Sequence, residues 1–244
     1  MNKVELEESR REFLLKSISA GTLAISASSG LLVPAPAQSM GKIPEKLIPG
    51  KSIYDIRGTV LVDGVKANEE TLIKASSKVE TKSGSHVVFV IGSDAHVLRE
   101  NSTVQFKGAE FFEEGLRLVT GKLLSVFGAR PKHQQHTLRT STATIGIRGT
   151  GVYTESYEDA SYLCTCYGTV DLYADNDDYS AERIVSKQHE NPRYILADGS
   201  KGKLIEDAPI KNHSVEELIL VESLVGRKPP VSFVSDYSPP RDDY

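Results

Sequence analysis

The feature that most constrains the fold is a run of short, strand-like segments separated by turn residues, from about Arg57 to Lys203. Gly58–Val62 is followed by Asp63-Gly64, a dipeptide typical of two-residue hairpin turns. Similar segments recur at spacings of about 8–12 residues, often with glycine at the breaks. No helical pattern of about 10–15 residues lies between them, which excludes a parallel sheet with crossover helices. The sequence therefore predicts an all-β domain.

Two of these segments are apolar on both alternating faces. In Ser85–Ile91 the valines, phenylalanine and isoleucine occupy both sets of positions, and Ala95–Leu98 follows after a Gly-Ser-Asp turn. A strand that is apolar on both faces is covered on both sides, as in a sandwich, roll or solenoid. The other predicted strands are Thr103–Phe106, Leu116–Thr120, Lys122–Phe127, His136–Thr140, Gly151–Glu155, Tyr162–Tyr167, Thr169–Tyr173, Glu182–Lys187, Arg193–Leu196 and Gly202–Ile205.

One helix is predicted near the end of the chain. Ser214 and Glu217 have the spacing of a capping box, in which each side chain accepts a hydrogen bond from the other residue's backbone. An apolar stripe at helical spacing follows, and Gly226 with Pro229-Pro230 ends the helix. The stripe consists of Val215, Leu218, Ile219, Leu224 and Val225. The Pro-, Asp- and Tyr-rich tail, residues 231–244, is predicted to be extended.

The first residues resemble an export signal and not a part of the fold. Arg10 and Arg11 stand ahead of Phe13 and Leu14, which matches the twin-arginine pattern read by a translocation machinery. The apolar run Ser17–Val33 contains five serines, a threonine and two glycines, and is too short and too polar to stay in a bilayer. The alternative is a cytoplasmic amphipathic helix with a chance arginine pair.

The small-x-small sequence Ala35-Pro36-Ala37 predicts signal cleavage between Ala37 and Gln38. The predicted segments are a signal peptide at 1–37, a linker at 38–56, a β domain at 57–205, and a helix with an extended tail at 206–244. No cysteine follows the cleavage point, so no lipid anchor is expected. The predicted location is the periplasm, with no stable membrane anchor.

Charge excludes one class of function. The net charge is −4, and it stays so after cleavage because the signal peptide holds equal numbers of basic and acidic residues. A mildly acidic chain lacks the overall electrostatic footprint of a nucleic-acid-binding protein. With only two cysteines, the chain is also not a disulfide-stapled scaffold.

Four stretches together resemble the FecR domain family: Val79–Ser102, Leu116–Gly121, Thr137–Thr154 and Tyr167–Val170. They match its "T-x-x-G-S" turn with the following hairpin, its "L-x-x-G" strand, its segment ending in "G-T", and its closing "x-G-x-V" strand. The best match covers about 57–173. The resemblance implies an extracytoplasmic β-roll or solenoid-like module, built of many short strands, that makes protein contacts and performs no catalysis.

The chain also departs from that family. FecR regulators carry a cytoplasmic helical segment that engages a sigma factor, followed by a membrane span, and an export signal stands here instead. The resemblance therefore implies an envelope scaffolding, ligand-binding or sensing module with a separate protein or glycan partner.

Cys164-Thr-Cys166 is the strongest candidate for chemistry. On a strand both sulfur atoms point to one face, and a disulfide between them would be strained. One interpretation is a metal or redox site, with His189 as a further ligand. The other is a pair of buried thiols that pack in the core, which is the usual state of free cysteine, and on that interpretation no cofactor is expected.

The remaining motifs favour structural roles. His133-Gln-Gln-His136, with Arg130, Lys132 and Arg139, could bind an anion or a metal but is more typical of a solvated hairpin loop. Asp175–Asp178 lacks the glycine and distal glutamate of a calcium loop and indicates a turn. Gly146-x-x-Gly149-x-Gly151 is not a dinucleotide fingerprint, and its glycines indicate tight turns.

The sequence contains no nucleophile elbow, HExxH or Walker motif. It therefore favours an exported, non-catalytic binding or signalling module in the cell envelope. A metal- or cofactor-binding protein centred on the two cysteines is the first alternative, and an enzyme that processes envelope polymers is the second.

Overall fold

A computed structural model describes residues 50–110, 112–128, 130, 136–199 and 202–227, without the side chains of 112 and 113. The predicted export residues Arg10, Arg11, Phe13 and Leu14, the cleavage site at Ala37 and Gln38, and the tail lie outside these residues. Within them, no helix is long and apolar enough to cross a membrane.

The described residues form fourteen strands in one sheet, with one helix near the end. The all-β prediction is confirmed. The strands are β1 (Ile53–Arg57), β2 (Val60–Val62), β3 (Val65–Lys66), β4 (Lys78–Thr81), β5 (His86–Ile91), β6 (Asp94–Leu98), β7 (Thr103–Ala109), β8 (Phe112–Val126), β9 (His136–Arg139), β10 (Ala143–Ser156), β11 (Ala160–Ala174), β12 (Ala181–Ser186), β13 (Arg193–Leu196) and β14 (Ile205–Asp207). The helix α1 covers Val215–Leu224.

Three strands are much longer than the sequence pattern suggests. β8 and β11 have 15 residues each and β10 has 14. In β8 and β11 two segments predicted as separate strands join into one, and β10 begins well before the predicted strand Gly151–Glu155. Gly121 and Gly168 stand where the breaks were predicted, and both have φ of 91°. Because glycine tolerates this left-handed conformation, each strand bends there without ending.

The bends divide the sheet into two layers. The first layer contains β3, β2, β4, β7, the beginning of β8, β9, the beginning of β10, the end of β11 and β12. The second contains β1, β5, β6, the end of β8, the end of β10, the beginning of β11, β13 and β14. Each long strand therefore contributes one half to each layer.

The main core lies between the layers. Phe89 of the second layer contacts Phe106 of the first edge-to-face, with ring centroids 5.7 Å apart. Buried aliphatic side chains from both layers, including Leu118, Leu123 and Ile145, complete this core. Non-polar burial of this kind is the dominant stabilising contribution to such a fold.

The second layer is buried on its other face as well, as the doubly apolar strands predict. Val88 and Val97 lie outside the main core and are at most 1% exposed. The helix α1 packs against β6 and β8 on this side. The candidate site lies on the same face.

Strand β1 falls partly inside the segment predicted as a linker, 38–56. Ile53 is fully buried, and β1 pairs antiparallel with β5. The sequence Ile-Tyr-Asp-Ile-Arg lacks a clean alternation, because a β-bulge between Ile53 and Asp55 shifts the register. A search for alternating apolar and polar residues therefore misses this strand, since the bulge interrupts the alternation.

The helix start agrees with the prediction. The Ser214 hydroxyl accepts from the Glu217 N–H at 3.3 Å, and the Glu217 carboxylate accepts from the Ser214 N–H at 2.9 Å. The predicted apolar stripe is wrong in part, since Leu220 and Val221 are buried and Ile219 is only half-buried. The helix is covered over a wider arc than one stripe.

Candidate metal centre

Both cysteines lie in the first half of β11, on the face of the second layer that points away from the main core. They are fully buried and not bonded to each other. The alternation of a strand places both sulfur atoms on one face together with Tyr162. The Cys-Thr-Cys spacing therefore puts two sulfur ligands side by side.

His189 comes from the turn between β12 and β13. Its backbone N–H donates to the carbonyl oxygen of Cys166 at 2.9 Å, which fixes the turn against β11. Its φ of 53° is a left-handed conformation that costs about 1 kcal/mol or more and is concentrated at functional sites. The structure thus brings together the three residues that the sequence suggested as a group.

A fourth residue, His213, was missed by the sequence analysis. It directly precedes the helix cap Ser214 and is buried. Its Nδ1 lies 2.7 Å from the carbonyl oxygen of Lys211. Because a carbonyl oxygen only accepts, Nδ1 donates this hydrogen bond and Nε2 is the nitrogen that faces the cysteines and His189, which is how a partner beyond the ligands orients a metal-binding histidine.

The four side chains converge on one point. The ligand atoms of Cys164, Cys166, His189 and His213 all lie within 4.8 Å of one another. Nε2 of His213 is 2.9 Å from Nδ1 of His189, which is 3.7 Å from Sγ of Cys164. Around tetrahedral zinc, with bonds of about 2.3 Å to sulfur and 2.0 Å to nitrogen, ligand atoms lie about 3.3–3.8 Å apart. Small side-chain movements would therefore suffice to hold such an ion.

The two thiols differ in acidity. The Cys166 thiol interacts with the Cys164 sulfur and, with the two histidines, lowers the pKa of Cys164 well below its ordinary value. Burial and the neighbouring Cys164 raise the pKa of Cys166. The lowered pKa favours the thiolate form of Cys164, which is the form that binds metals.

A tyrosine and a carboxylate support His213. The Tyr153 ring stacks on the imidazole, with centroids 4.6 Å apart and planes at 14°. Its hydroxyl donates to Oε1 of Glu155 at 2.7 Å. Burial and this carboxylate raise the pKa of Tyr153, so the tyrosine stays a neutral donor.

Glu155 is fully buried and holds the segment that leads to His213. Besides Tyr153, it accepts from Tyr157 at 2.9 Å, from Nδ2 of Asn212 at 2.8 Å and from Nζ of Lys211 at 2.9 Å. Burial alone would raise the pKa of this carboxyl group, but these four donors lower it to about 2. The buried carboxylate is therefore fully satisfied.

Arg99, at the end of β6, holds the same segment from the other side. Its guanidinium donates to the backbone oxygen of Asn212 at 2.6 Å and to both carboxylate oxygens of Glu217 at 2.8 and 2.9 Å. It also lies over the Tyr153 ring, 5.7 Å from the centroid. The segment that contains His213 is thus held between two charged side chains, Glu155 and Arg99.

Other sequence candidates lie elsewhere. The prediction of a solvated loop is wrong for His136, which is 1% exposed on β9 and contacts the Phe127 ring at 4.6 Å. It is wrong for Arg130 as well, which forms an ion pair with buried Asp94. Arg139 is exposed on β9; residues 131–135, including His133 and Lys132, lie outside the described part of the chain.

Two smaller motifs have structural roles. Asp177 accepts from the Ser180 hydroxyl at 2.5 Å and from the Tyr179 N–H at 3.1 Å, as a turn requires. Gly149 and Gly151 lie within β10 at an irregularity of its register, and Gly149 has φ of 63°. These glycines allow a bulge in a continuous strand and not the tight turns that were predicted.

Comparison with known proteins leaves the family open. No family profile matches the sequence, and no curated protein is detectably similar. Two crystal structures of a candidate anti-sigma factor from Parabacteroides distasonis ATCC 8503, at 1.65 and 2.50 Å resolution, are similar with TM-scores of 0.44 and 14% identity. The match covers 58% of this chain and 62% of theirs. This similarity is too weak to assign a family or a function, and the FecR resemblance stays a prediction.

Proposed function

We propose that this protein is a non-catalytic metal-binding module that holds one zinc ion with Cys164, Cys166, His189 and His213. The observation that carries the proposal is the convergence of four buried ligand atoms within 4.8 Å of one another. Two sulfur and two nitrogen atoms are a donor set that zinc prefers, and small movements of these side chains would bring them to tetrahedral spacing.

The arrangement favours a structural ion over a catalytic one. A catalytic zinc site has three protein ligands and keeps a position open for water or substrate. Here four side chains are available, and all four are buried. An ion held by all of them would have no position left for a reacting molecule.

The ion would join parts of the chain that are far apart in sequence. Cys164 and Cys166 belong to β11, His189 to the following turn, and His213 to the start of α1. A site that exists only in the folded chain converts metal-binding free energy into folding free energy. Metal would thereby fasten the C-terminal segment to the second layer.

Export by the twin-arginine route is part of the same proposal. The pattern around Arg10 and Arg11 supports it, and this route usually carries proteins that are already folded. A site assembled from distant segments suits such a route. Replacing both arginines with lysine should leave unprocessed precursor in the cytoplasm, and normal processing would contradict the assignment.

Metal analysis tests the site. The full-length chain, purified after growth with zinc, is expected to contain one equivalent of zinc by mass spectrometry, and the Cys164→Ser/Cys166→Ser variant none. Cobalt substitution should give the intense visible absorption of a tetrahedral thiolate site and a sulfur-to-cobalt charge-transfer band. A His213→Asn variant should weaken both signals.

The matched control is His86→Asn. His86 lies on β5 and pairs with Asp55 at 2.6 Å, so its loss removes a histidine without touching the cluster. This variant should retain a full equivalent of zinc. Absence of bound metal in the wild type, or equal metal content in the cysteine variant, would contradict the proposal.

A further inference from the structure

The exposed face of the first layer carries an ordered row of side chains. Strand pairing places one residue from each of seven adjacent strands side by side across the sheet. The row runs Lys78, Gln105, Arg117, Arg139, Thr144, Tyr173, Ala181. With neighbouring strands about 4.8 Å apart, it crosses roughly the width of the layer.

A parallel row beside it has small residues at its centre. It runs Lys107, Gly115, Thr137, Gly146, Asp171, Arg183. Gly115 and Gly146 have no side chain, so a shallow trench lies alongside the Arg117–Arg139 pair. A chain that crosses the strands could lie in this trench close to the backbone.

The face is basic although the whole chain has a net charge of −4. Among the described residues it carries seven cations and three carboxylates. The cations are Lys66, Lys78, Lys107, Arg117, Arg139, Arg148 and Arg183, and the carboxylates are Glu80, Asp171 and Asp175, the last of which accepts from the Thr144 hydroxyl at 2.7 Å. The excess of positive charge lies on this face, and acidic residues in other parts of the chain make the net charge negative.

Four of these cations, Lys66, Lys107, Arg117 and Arg139, form no ion pair with any residue that the structure describes. Asp171 pairs with both Arg148 and Arg183, at 2.9 and 2.6 Å. By contrast, Arg117 and Arg139 form no ion pair or hydrogen bond through their side chains with any residue of the described part of the chain. They are directly opposite each other on β8 and β9 and are both exposed.

Like charges opposite each other on neighbouring strands are destabilising. An anionic ligand would relieve that repulsion, and the guanidinium fork binds carboxylate and sulfate groups with paired hydrogen bonds. Tyr173, 48% exposed in the same row, offers a ring face on which a sugar could stack. The row itself contains no large aliphatic side chain. The exposed aliphatic residues of the same face, Val119 and Val185, lie on β8 and β12, which are not adjacent, so they form no continuous apolar centre of the kind that a protein interface buries.

We propose that this face binds a linear anionic polysaccharide that lies across the strands, with its carboxylate or sulfate groups on Arg117 and Arg139 and a sugar ring on Tyr173. The proposal is independent of the metal site, which lies on the second layer. The charged row and the shallow trench beside it fit a partner that is narrow, extended and negatively charged.

Titration calorimetry with the full-length chain tests it. The probes are a heparin oligosaccharide, a polygalacturonate oligosaccharide, neutral dextran, single-stranded DNA and equal-part phosphatidylcholine–phosphatidylglycerol vesicles. We expect binding to the acidic oligosaccharides that weakens with salt, and none to dextran. The Arg117→Gln/Arg139→Gln variant should bind about tenfold more weakly or worse, as for loss of two charge-assisted contacts, and Tyr173→Ser should also weaken binding.

The charge-matched control is Arg57→Gln/Lys203→Gln, which removes two exposed cations of the second layer, one at the end of β1 and one just before β14. It should bind within about twofold of the wild type, since counter-ion effects of distant charges are screened. Equal binding by the arginine variant would overturn the proposal. Tighter binding to DNA or to vesicles than to both oligosaccharides, or no binding to either oligosaccharide, would overturn it as well.

Discussion

His189 and His213 are 24 residues apart in the chain, yet Nδ1 of one lies 2.9 Å from Nε2 of the other. Both are buried, and each is positioned by a backbone contact, His189 through the Cys166 carbonyl and His213 through the Lys211 carbonyl. Two imidazoles held this close to a pair of thiols bring four potential metal ligands together through the fold itself. Such preorganisation is the basis of a tight metal site.

Metal removal should destabilise the fold. A ligand that binds only the folded state at a thousandfold excess over its Kd adds about 4 kcal/mol to the free energy of unfolding. Urea unfolding with zinc and with chelator should therefore differ by several kcal/mol in the wild type. The Cys164→Ser/Cys166→Ser variant should show no difference, whereas His86→Asn should retain it; a zinc effect that survives in the cysteine variant would place the ion elsewhere.

Glu155 should make stability dependent on pH in the acid range. Its pKa in the folded protein is about 2, below the ordinary value of 4.5, so the carboxylate stabilises the fold above about pH 4.5 and that stabilisation is lost as the pH falls towards 2. Glu155→Gln should cost about 2 kcal/mol at pH 7, allowing for solvent screening.

This measurement is best made in the Cys164→Ser/Cys166→Ser background, where acid cannot act through metal release. In urea unfolding at a series of pH values, the free energies of unfolding with and without Glu155→Gln should converge as the pH approaches 2. A constant gap across that range would mean that the carboxylate is not the origin of the effect.

Arg99 and Glu217 should be energetically coupled. One guanidinium nitrogen of Arg99 lies 2.8 and 2.9 Å from the two carboxylate oxygens of Glu217, and the pair is mostly buried, with 24% and 15% of the side chains exposed. A double-mutant cycle with Arg99→Gln and Glu217→Gln should give a coupling energy of about 1–2 kcal/mol in urea unfolding. The same cycle on Lys51 and Glu69, whose atoms are 3.6 Å apart and whose carboxylate is 69% exposed, should give less than about 0.5 kcal/mol. Equal couplings would contradict a special role for Arg99.

Gly168 should not tolerate a side chain. Its φ is 91°, and an added Cβ would lie 2.4 Å from the Thr150 side chain. Gly168→Ala should lower the free energy of unfolding by about 2–4 kcal/mol, since strain and overpacking add. Gly84 has φ of 64° with open space around it, so Gly84→Ala should cost only about 1 kcal/mol; similar losses for both would show that the bend of β11 is unimportant.

Local patterns in the sequence determined a good part of this protein. The strand alternation predicts an all-β fold, and the two-sided apolar pattern of Ser85–Ile91 predicts a strand buried on both faces. The Ser214–Glu217 spacing predicts the start of the helix, and Cys164-Thr-Cys166 predicts two sulfur atoms on one face. Each of these depends on residues a few positions apart, where backbone geometry alone fixes which side chains share a face.

The tertiary structure decided the rest. His213 joins the cysteines, and Arg117 lies beside Arg139, because strands and turns far apart in sequence pack in one register. That register depends on long-range hydrogen bonds and on burial, which no local period encodes. For the same reason the net charge gave no sign of a basic face, and Gly121 and Gly168 were predicted as strand ends although the strands continue through them. The sequence determines the chemistry of each side chain, and tertiary packing determines which side chains come into contact.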